Sequence, residues 1–213
     1  MKQKINTLIF DVGGVLFLPK KNKEKHLLSS FRELCLLINQ HGIDTTLIQQ
    51  NLSSIYMASS RGDINKEETT ERMSKELNIS SKETEKLFNT IYEQNTIENN
   101  ELYDWILELK NKEYKLGILS TQFHLSNDIL IPKKYYEVFD AKEIFCEDKM
   151  KKPDERDYIS ILKKLNVKPD ECIFIDDKQE NLDAAEKLGI HTILFTDNSH
   201  FISDLNKIIP INL

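Results

Sequence analysis

Several features that would define a function class are scarce or missing. Cysteines number only three, and Cys35, Cys146 and Cys172 are widely spaced. Two of them sit inside apolar stretches, so they read as buried free thiols, excluding a disulfide framework and a zinc cluster. No apolar run approaches the ~20 residues of a membrane span, and no signal-peptide pattern precedes the first strand. Basic excess is missing too: 29 Lys and Arg against 35 Asp and Glu leave a net charge of −6, which argues against a broad nucleic-acid footprint. Internal repeats and low-complexity segments are absent. The expectation is a cytoplasmic protein, monomer or homodimer, with no membrane or nucleic-acid partner and a small-molecule substrate.

What is present is a chain of 213 residues, enough for one domain with an insertion or for two small domains. Five short apolar runs read as strands: Thr7–Phe10, Leu116–Ser120, Glu143–Cys146, Cys172–Asp176 and His191–Phe195. Amphipathic helices lie between the later ones. Tyr158, Ile161, Leu162 and Leu165 keep helical spacing, a helix over Asn181–Leu188 ends at Gly189, and a tail helix spans Ser199–Ile208. Strands alternating with helices predict an α/β fold, a Rossmann-like parallel sheet with helices on both faces.

From about His26 to Asn95 the pattern is helical, with no convincing strand. Leu27–Asn39, Thr45–Ser59, Glu67–Leu77 and Lys82–Asn95 are the candidate helices, with Arg61-Gly62-Asp63 as a turn. The charge run Lys20–Lys25 reads as a solvated hinge. The expected division is a core of residues 1–18 and 97–213 with an all-helical cap, 19–96, inserted after the first strand. Two tandem domains are the alternative.

The chemistry gathers at strand ends. Thr7–Phe10 stops abruptly on Asp11, followed by Gly13 and Gly14. A second run ends on Ser120-Thr121, and a third on Asp176-Asp177. Between these, Lys152 precedes Pro153, which is expected to open a helix. Strand ends of a parallel sheet share one edge, so these groups should converge. Asp11, Asp176 and Asp177 would repel one another in a poorly solvated cleft unless a cation neutralised them. An all-oxygen set suits Mg²⁺, which also binds substrate phosphate. Taken singly, each residue also has a plain reading as a cap, turn or solvated side chain.

Asp11-Val12-Gly13-Gly14, Ser120-Thr121, Lys152-Pro153 and Asp176-Asp177, in this order, resemble the four motifs of the haloacid dehalogenase-like hydrolases. Within that superfamily they look most similar to the epoxide-hydrolase N-terminal and sugar-phosphate phosphatase branch. The resemblance implies Asp11 as nucleophile, forming an aspartyl-phosphate that water hydrolyses. Ser120 and the Thr121 backbone, with Gly14, would hold the phosphoryl group, and Lys152 would neutralise it. It also implies a metal held by Asp11, the Gly13 carbonyl and Asp177, with Asp176 acting through water.

One position departs from the family. Most of its phosphatases carry a second Asp two residues after the nucleophile, to protonate the leaving oxygen. Here that residue is Gly13. General acid–base help is typically worth about 10²–10⁴-fold. Three readings stay open: a phosphatase for esters with good leaving groups, a phosphate-binding protein without turnover, and a 2-haloacid dehalogenase. His124, a few residues after Ser120, and Arg61-Gly62-Asp63 are candidate replacements, with plainer readings as a loop histidine and a turn.

Overall fold

The computed structural model describes residues 5–20, 31–148, 152–209 and 211. In chain order the strands are β1 (Thr7–Phe10), β2 (Phe17–Pro19), β3 (Thr96–Glu98), β4 (Lys115–Ser120), β5 (Ala141–Ile144), β6 (Cys172–Asp176) and β7 (His191–Leu194). The helices are α1 (Phe31–Gln40), α2 (Gln49–Ser60), α3 (Lys66–Leu77), α4 (Ser81–Asn95), α5 (Asn100–Asn111), α6 (His124–Leu130), α7 (Lys133–Val138), α8 (Phe145–Asp148), α9 (Glu155–Leu165), α10 (Gln179–Lys187) and α11 (Asn198–Ile208).

Five strands form one parallel sheet in the order β5-β4-β1-β6-β7. The central strand β1 is covered on both faces, which is why it reads as an unbroken apolar run rather than an alternation. Leu8 and Phe10 point into the core shared with α5 and α11, beside Leu102, Ile106, Phe201 and Leu205. Ile9 points the other way, against Tyr158, Ile161 and Leu165 of α9 and Leu182 of α10. The α9 layer comes close because β4 carries Gly117: a Cβ there would lie 2.9 Å from Leu165 Cδ1.

Strand register sets the active edge. Phe10 is level with Ile118 of β4 and Ile175 of β6. The next residue of each chain therefore brings Asp11 alongside Asp176, one step before Ser120. Local signals place the helix starts. Ser80 and Glu83 form a reciprocal capping box on α4, and Asn65, Asn99, Asp154 and Asp197 cap α3, α5, α9 and α11.

Three predicted boundaries shift. The run Glu143–Cys146 is not a strand; β5 spans Ala141–Ile144, and Phe145 and Cys146 already belong to α8. The apolar run there straddles a strand end and a helical turn, both buried, and burial alone carries no period. Pro153 does not open α9, which starts at Glu155 behind the Asp154 cap. The helix predicted over Thr45–Ser59 starts later, at Gln49, because Asn39 Oδ1 ties Thr45 into the preceding turn at 2.9 Å from its N–H. Residues 21–30 lie outside those described, so the first turns of the Leu27–Asn39 helix and most of the Lys20–Lys25 run do as well.

The strand pair β2–β3 was not foreseen. These three-residue strands pair antiparallel, Phe17 with Glu98 and Pro19 with Thr96, so the helical insertion leaves and re-enters the chain at neighbouring points. Lys20 N–H donates to the Asn95 carbonyl at 3.0 Å and Asn99 N–H to that of Leu16 at 2.9 Å, extending the ribbon at both ends. Cys35, Cys146 and Cys172 are all buried, and none is in a disulfide. Among the described residues no helix is long and apolar enough to cross a membrane.

One buried acid stands apart from the chemistry. Asp157, in the first turn of α9, is fully buried, and neither carboxylate oxygen has a hydrogen-bond partner among the described residues. Burial, reinforced by the negative charges of Asp154 and Glu143, pushes its carboxyl up to about 7 from the ordinary 3.8. Between those two values the folded state holds more protons at Asp157 than the unfolded state, so the contribution of this group to stability is most favourable below about pH 4 and is lost as pH rises through 7. Asp157→Asn, which carries no charge at either pH, is expected to raise stability at pH 8 by about 2–4 kcal/mol and to change it little at pH 4. Denaturant unfolding at both pH values checks this; an equal shift at both would contradict it.

Candidate active site

Asp11 ends β1 at the carboxyl edge of the sheet, and its N–H donates to the Ile175 carbonyl at 2.9 Å. That bond keeps it on the strand line while its side chain meets β4. Ser120 Oγ donates to Asp11 Oδ1 at 2.8 Å, and Lys152 Nζ reaches the same oxygen at 2.9 Å. Two donors on one oxygen fix the rotation of the carboxylate and leave Oδ2 without a partner among the described residues. Gln122 Nε2 donates to Ser120 Oγ at 2.9 Å, which aims the serine proton at Asp11.

Asp176 and Asp177 are adjacent and do different things. Asp176 is fully buried and saturated. Its Oδ2 takes Lys152 Nζ at 2.5 Å, its Oδ1 takes the Lys178 N–H at 2.9 Å, and Asn181 Nδ2 lies 3.0 Å from both oxygens. It therefore acts on Lys152, holding the ammonium against Asp11. Burial lowers the affinity of Lys152 for its proton, but Asp11 and Asp176 outweigh burial and push the ammonium pKa above its ordinary value. Lys152 is a permanent cation here.

Asp177 instead lines the cleft. Burial, then the charges of Asp11 and Asp176, push its carboxyl up to about 6, and its Oδ1 is buried with no hydrogen-bond partner among the described residues. Asp11, Asp176 and Asp177 each offer one oxygen, and these lie within 4.8 Å of one another. A half-buried acid with an oxygen unpartnered among the described residues, set beside two further carboxylates, is the donor set of a hard divalent cation. Gly14 makes this approach possible. Its φ is +82°, and a Cβ there would lie 2.7 Å from Asp177 Cγ.

A cavity of about 340 Å³ opens over these groups. Asp11, Gly13, Gly14, Thr121, Lys152 and Asp177 are among its lining residues. Of the site residues read from the sequence, Ser120 and Asp176 alone do not line it; both are buried and bonded to residues that do, Ser120 to Asp11 and Asp176 to Lys152. The replacement candidates do not. His124 is half-buried at the start of α6, its N–H donating to Ser59 Oγ of α2 at 3.2 Å, and it does not line the cavity. Arg61 pairs with Asp63 at 2.8 Å across the turn between α2 and α3, as expected of a turn.

Sequence reasoning missed Gln122 and Asn181. Both are buried amides, at 5% and 4% exposure, beside recognised motif residues, and an amide in a first helical turn was the available signal. It also missed the aromatic wall, discussed below, because one sequence does not show which face of each helix turns inward.

A protein-family model described as haloacid dehalogenase-like hydrolase matches residues 5–189. The chain belongs to this family. A solved structure of a predicted hydrolase of the family from Porphyromonas gingivalis superposes with a TM-score of 0.71 at 20% identity, covering 98% of this chain and 99% of that one. Another family member, from Bacteroides thetaiotaomicron and in complex with magnesium and inorganic phosphate, gives 0.67 at 20% identity over 92% and 98%. Among curated proteins, a sesquiterpene phosphatase of Aspergillus oryzae is 31% identical over 74 residues, 35% of this chain and 38% of its own. Acyl-CoA dehydrogenase family member 10 of mouse is 35% identical over 88 residues, 41% of this chain and 8% of its own. The chain therefore spans well under half the length of these curated relatives.

Proposed function

We propose that this hydrolase is a Mg²⁺-dependent phosphatase acting on small phosphate monoesters. One observation carries the reading: a carboxylate, Asp11, held by Ser120 at 2.8 Å and by a charged lysine at 2.9 Å, beside a half-buried acid with one oxygen unpartnered among the described residues. Such a site offers a nucleophile, two donors for phosphoryl oxygens and a seat for a divalent cation. The printed names of the phosphatase and of the magnesium and phosphate complex among the similar proteins support the same chemistry.

In this mechanism a carboxylate oxygen of Asp11 attacks phosphorus, and the bond to the leaving oxygen breaks with its electron pair. Ser120 Oγ and the Thr121 N–H donate to the phosphoryl oxygens, and Gly14 lets the backbone come close. Lys152 neutralises negative charge on Asp11 and on the transferring group, with Asp176 and Asn181 holding it in place. Water then attacks the phosphorus of the aspartyl-phosphate, releasing phosphate and restoring the carboxylate. Mg²⁺, when bound by Asp11, Asp177 and the Gly13 carbonyl with Asp176 outside them, supplies positive charge to the phosphoryl oxygens.

The helices α1–α4 serve as a cap: residues 19–96 close over a core formed by 1–18 and 97–213. Two features support this, the ribbon β2–β3 at the junction and the presence of α1, α2 and α4 residues on the cavity wall.

Hydrolysis of p-nitrophenyl phosphate, assayed with Mg²⁺ and with EDTA, is the test. Turnover only with metal is the expected result. Absence of turnover across a broad phosphate panel would refute the reading, and metal-independent chloride release from 2-chloropropionate would favour a dehalogenase instead.

A further inference from the structure

We infer that the cleft selects phosphate esters of flat, apolar and acidic hydroxyl groups, phenols or enols, over sugar phosphates. The inference rests on the phosphatase reading and concerns the group that leaves.

The cavity has two unlike kinds of lining. Besides the carboxylates and Lys152 it includes Phe31, Tyr56, Met57, Tyr92, Phe123 and Leu130. Three of these rings form a continuous surface, with centroids 5.4 Å apart from Phe31 to Tyr56 and 4.9 Å from Tyr56 to Phe123. They come from α1, α2 and the segment after β4, so both sides of the cleft contribute. None of the six carries a charge, and burial keeps both phenols neutral by pushing Tyr56 and Tyr92 further above the ordinary range. Of the two serines in the lining, Ser126 is already engaged, with Gln122 Oε1 at 3.1 Å and the Phe123 carbonyl at 2.8 Å, and Ser60 offers a single hydroxyl. A sugar brings several hydroxyls, and each one desolvated without a partner lowers affinity. A planar ring matches this wall in shape and polarity, since aromatic pairs favour centroid separations of about 4.5–7 Å.

The second observation is independent of the wall. Gly13 offers no proton to the leaving oxygen, and His124 and Arg61 do not line the cavity. With no acid at position 13 beside the nucleophile, a leaving group able to carry its own charge suits this site better than one that needs a proton there. A phenol does so readily, with a pKa of about 10, like the tyrosine side chain. An aliphatic sugar alcohol does not. The wall and the missing acid point to the same class of ester.

The experiment compares kcat/KM, with Mg²⁺ present, for 1-naphthyl phosphate, acetyl phosphate, glucose 1-phosphate and glycerol 2-phosphate. Wild type is expected to prefer 1-naphthyl phosphate over glucose 1-phosphate by about 10²-fold or more. Tyr56→Ala and Phe31→Ala are each expected to raise KM for 1-naphthyl phosphate about tenfold more than KM for acetyl phosphate, which has a good leaving group and no ring. Phe31 is only half-buried, so its truncation leaves most of the cap core in place. Turnover of acetyl phosphate with glucose 1-phosphate preferred to the naphthyl ester would overturn the inference and leave the phosphatase reading standing. An equal KM change for both esters in both variants would also overturn it. No hydrolysis of any of the four would remove both.

Discussion

Asp11→Asn is expected to abolish Mg²⁺-dependent turnover of p-nitrophenyl phosphate, a loss of at least about 10³-fold, while the protein stays folded. The substitution keeps the shape of the side chain, and its carbonyl oxygen can still accept from Ser120 and Lys152. What disappears is the nucleophile and one of the two anions that hold the Lys152 ammonium. The same change removes a negative charge beside Asp176 and Asp177, both pushed upward partly by Asp11. Thermal stability without metal should therefore be equal to or above that of wild type, as is common where function requires clustered like charges. Enzyme assays together with melting curves check both parts. Residual activity above a few per cent would exclude Asp11 as the attacking group.

Gly13→Asp is expected to move activity in the other direction, and the structure makes it a clean experiment. A Cβ built at Gly13 meets no atom within 4 Å, so a side chain can start there without its first carbon displacing a neighbour. Gly14 offers no such room. The new carboxyl would stand at the cleft, two residues after the nucleophile, able to protonate a leaving oxygen and then to activate water. For glycerol 2-phosphate, whose alcohol leaves poorly, the gain is expected at about 10²–10⁴-fold. For p-nitrophenyl phosphate, whose phenolate needs no proton, little gain is expected. The measurement is the slope of log kcat/KM against leaving-group pKa, which should be steep in wild type and flatter in the variant. An unchanged slope would show that the missing acid does not limit this protein.

How far the sequence was legible depends on the range of the interaction concerned. β1, β6 and the α3 and α4 helices were readable nearly to the residue, because their signals are local: a buried run ending on an acid, or an Asn or Ser cap before a periodic stretch. The ribbon β2–β3 was not readable. Each strand has three residues, and what makes them strands is pairing across some eighty positions. The boundary at Phe145 failed for a related reason, since strand end and helical turn are equally buried there.

The same division runs through the site. The sequence alone determined which groups stand at strand ends and in what order, hence the nucleophile, the hydroxyl, the lysine, the carboxylate pair and the absent acid at Gly13. Each is a chemical identity tied to a local pattern. Tertiary structure alone decided how the pair divides its work, with Asp176 saturated by Lys152, Lys178 and Asn181 while Asp177 lines the cleft with an oxygen unpartnered among the described residues. It also decided that His124 turns away and that three rings from separate elements form one wall. Those outcomes depend on contacts between residues distant along the chain, where packing sets the direction of each side chain and no local period records it.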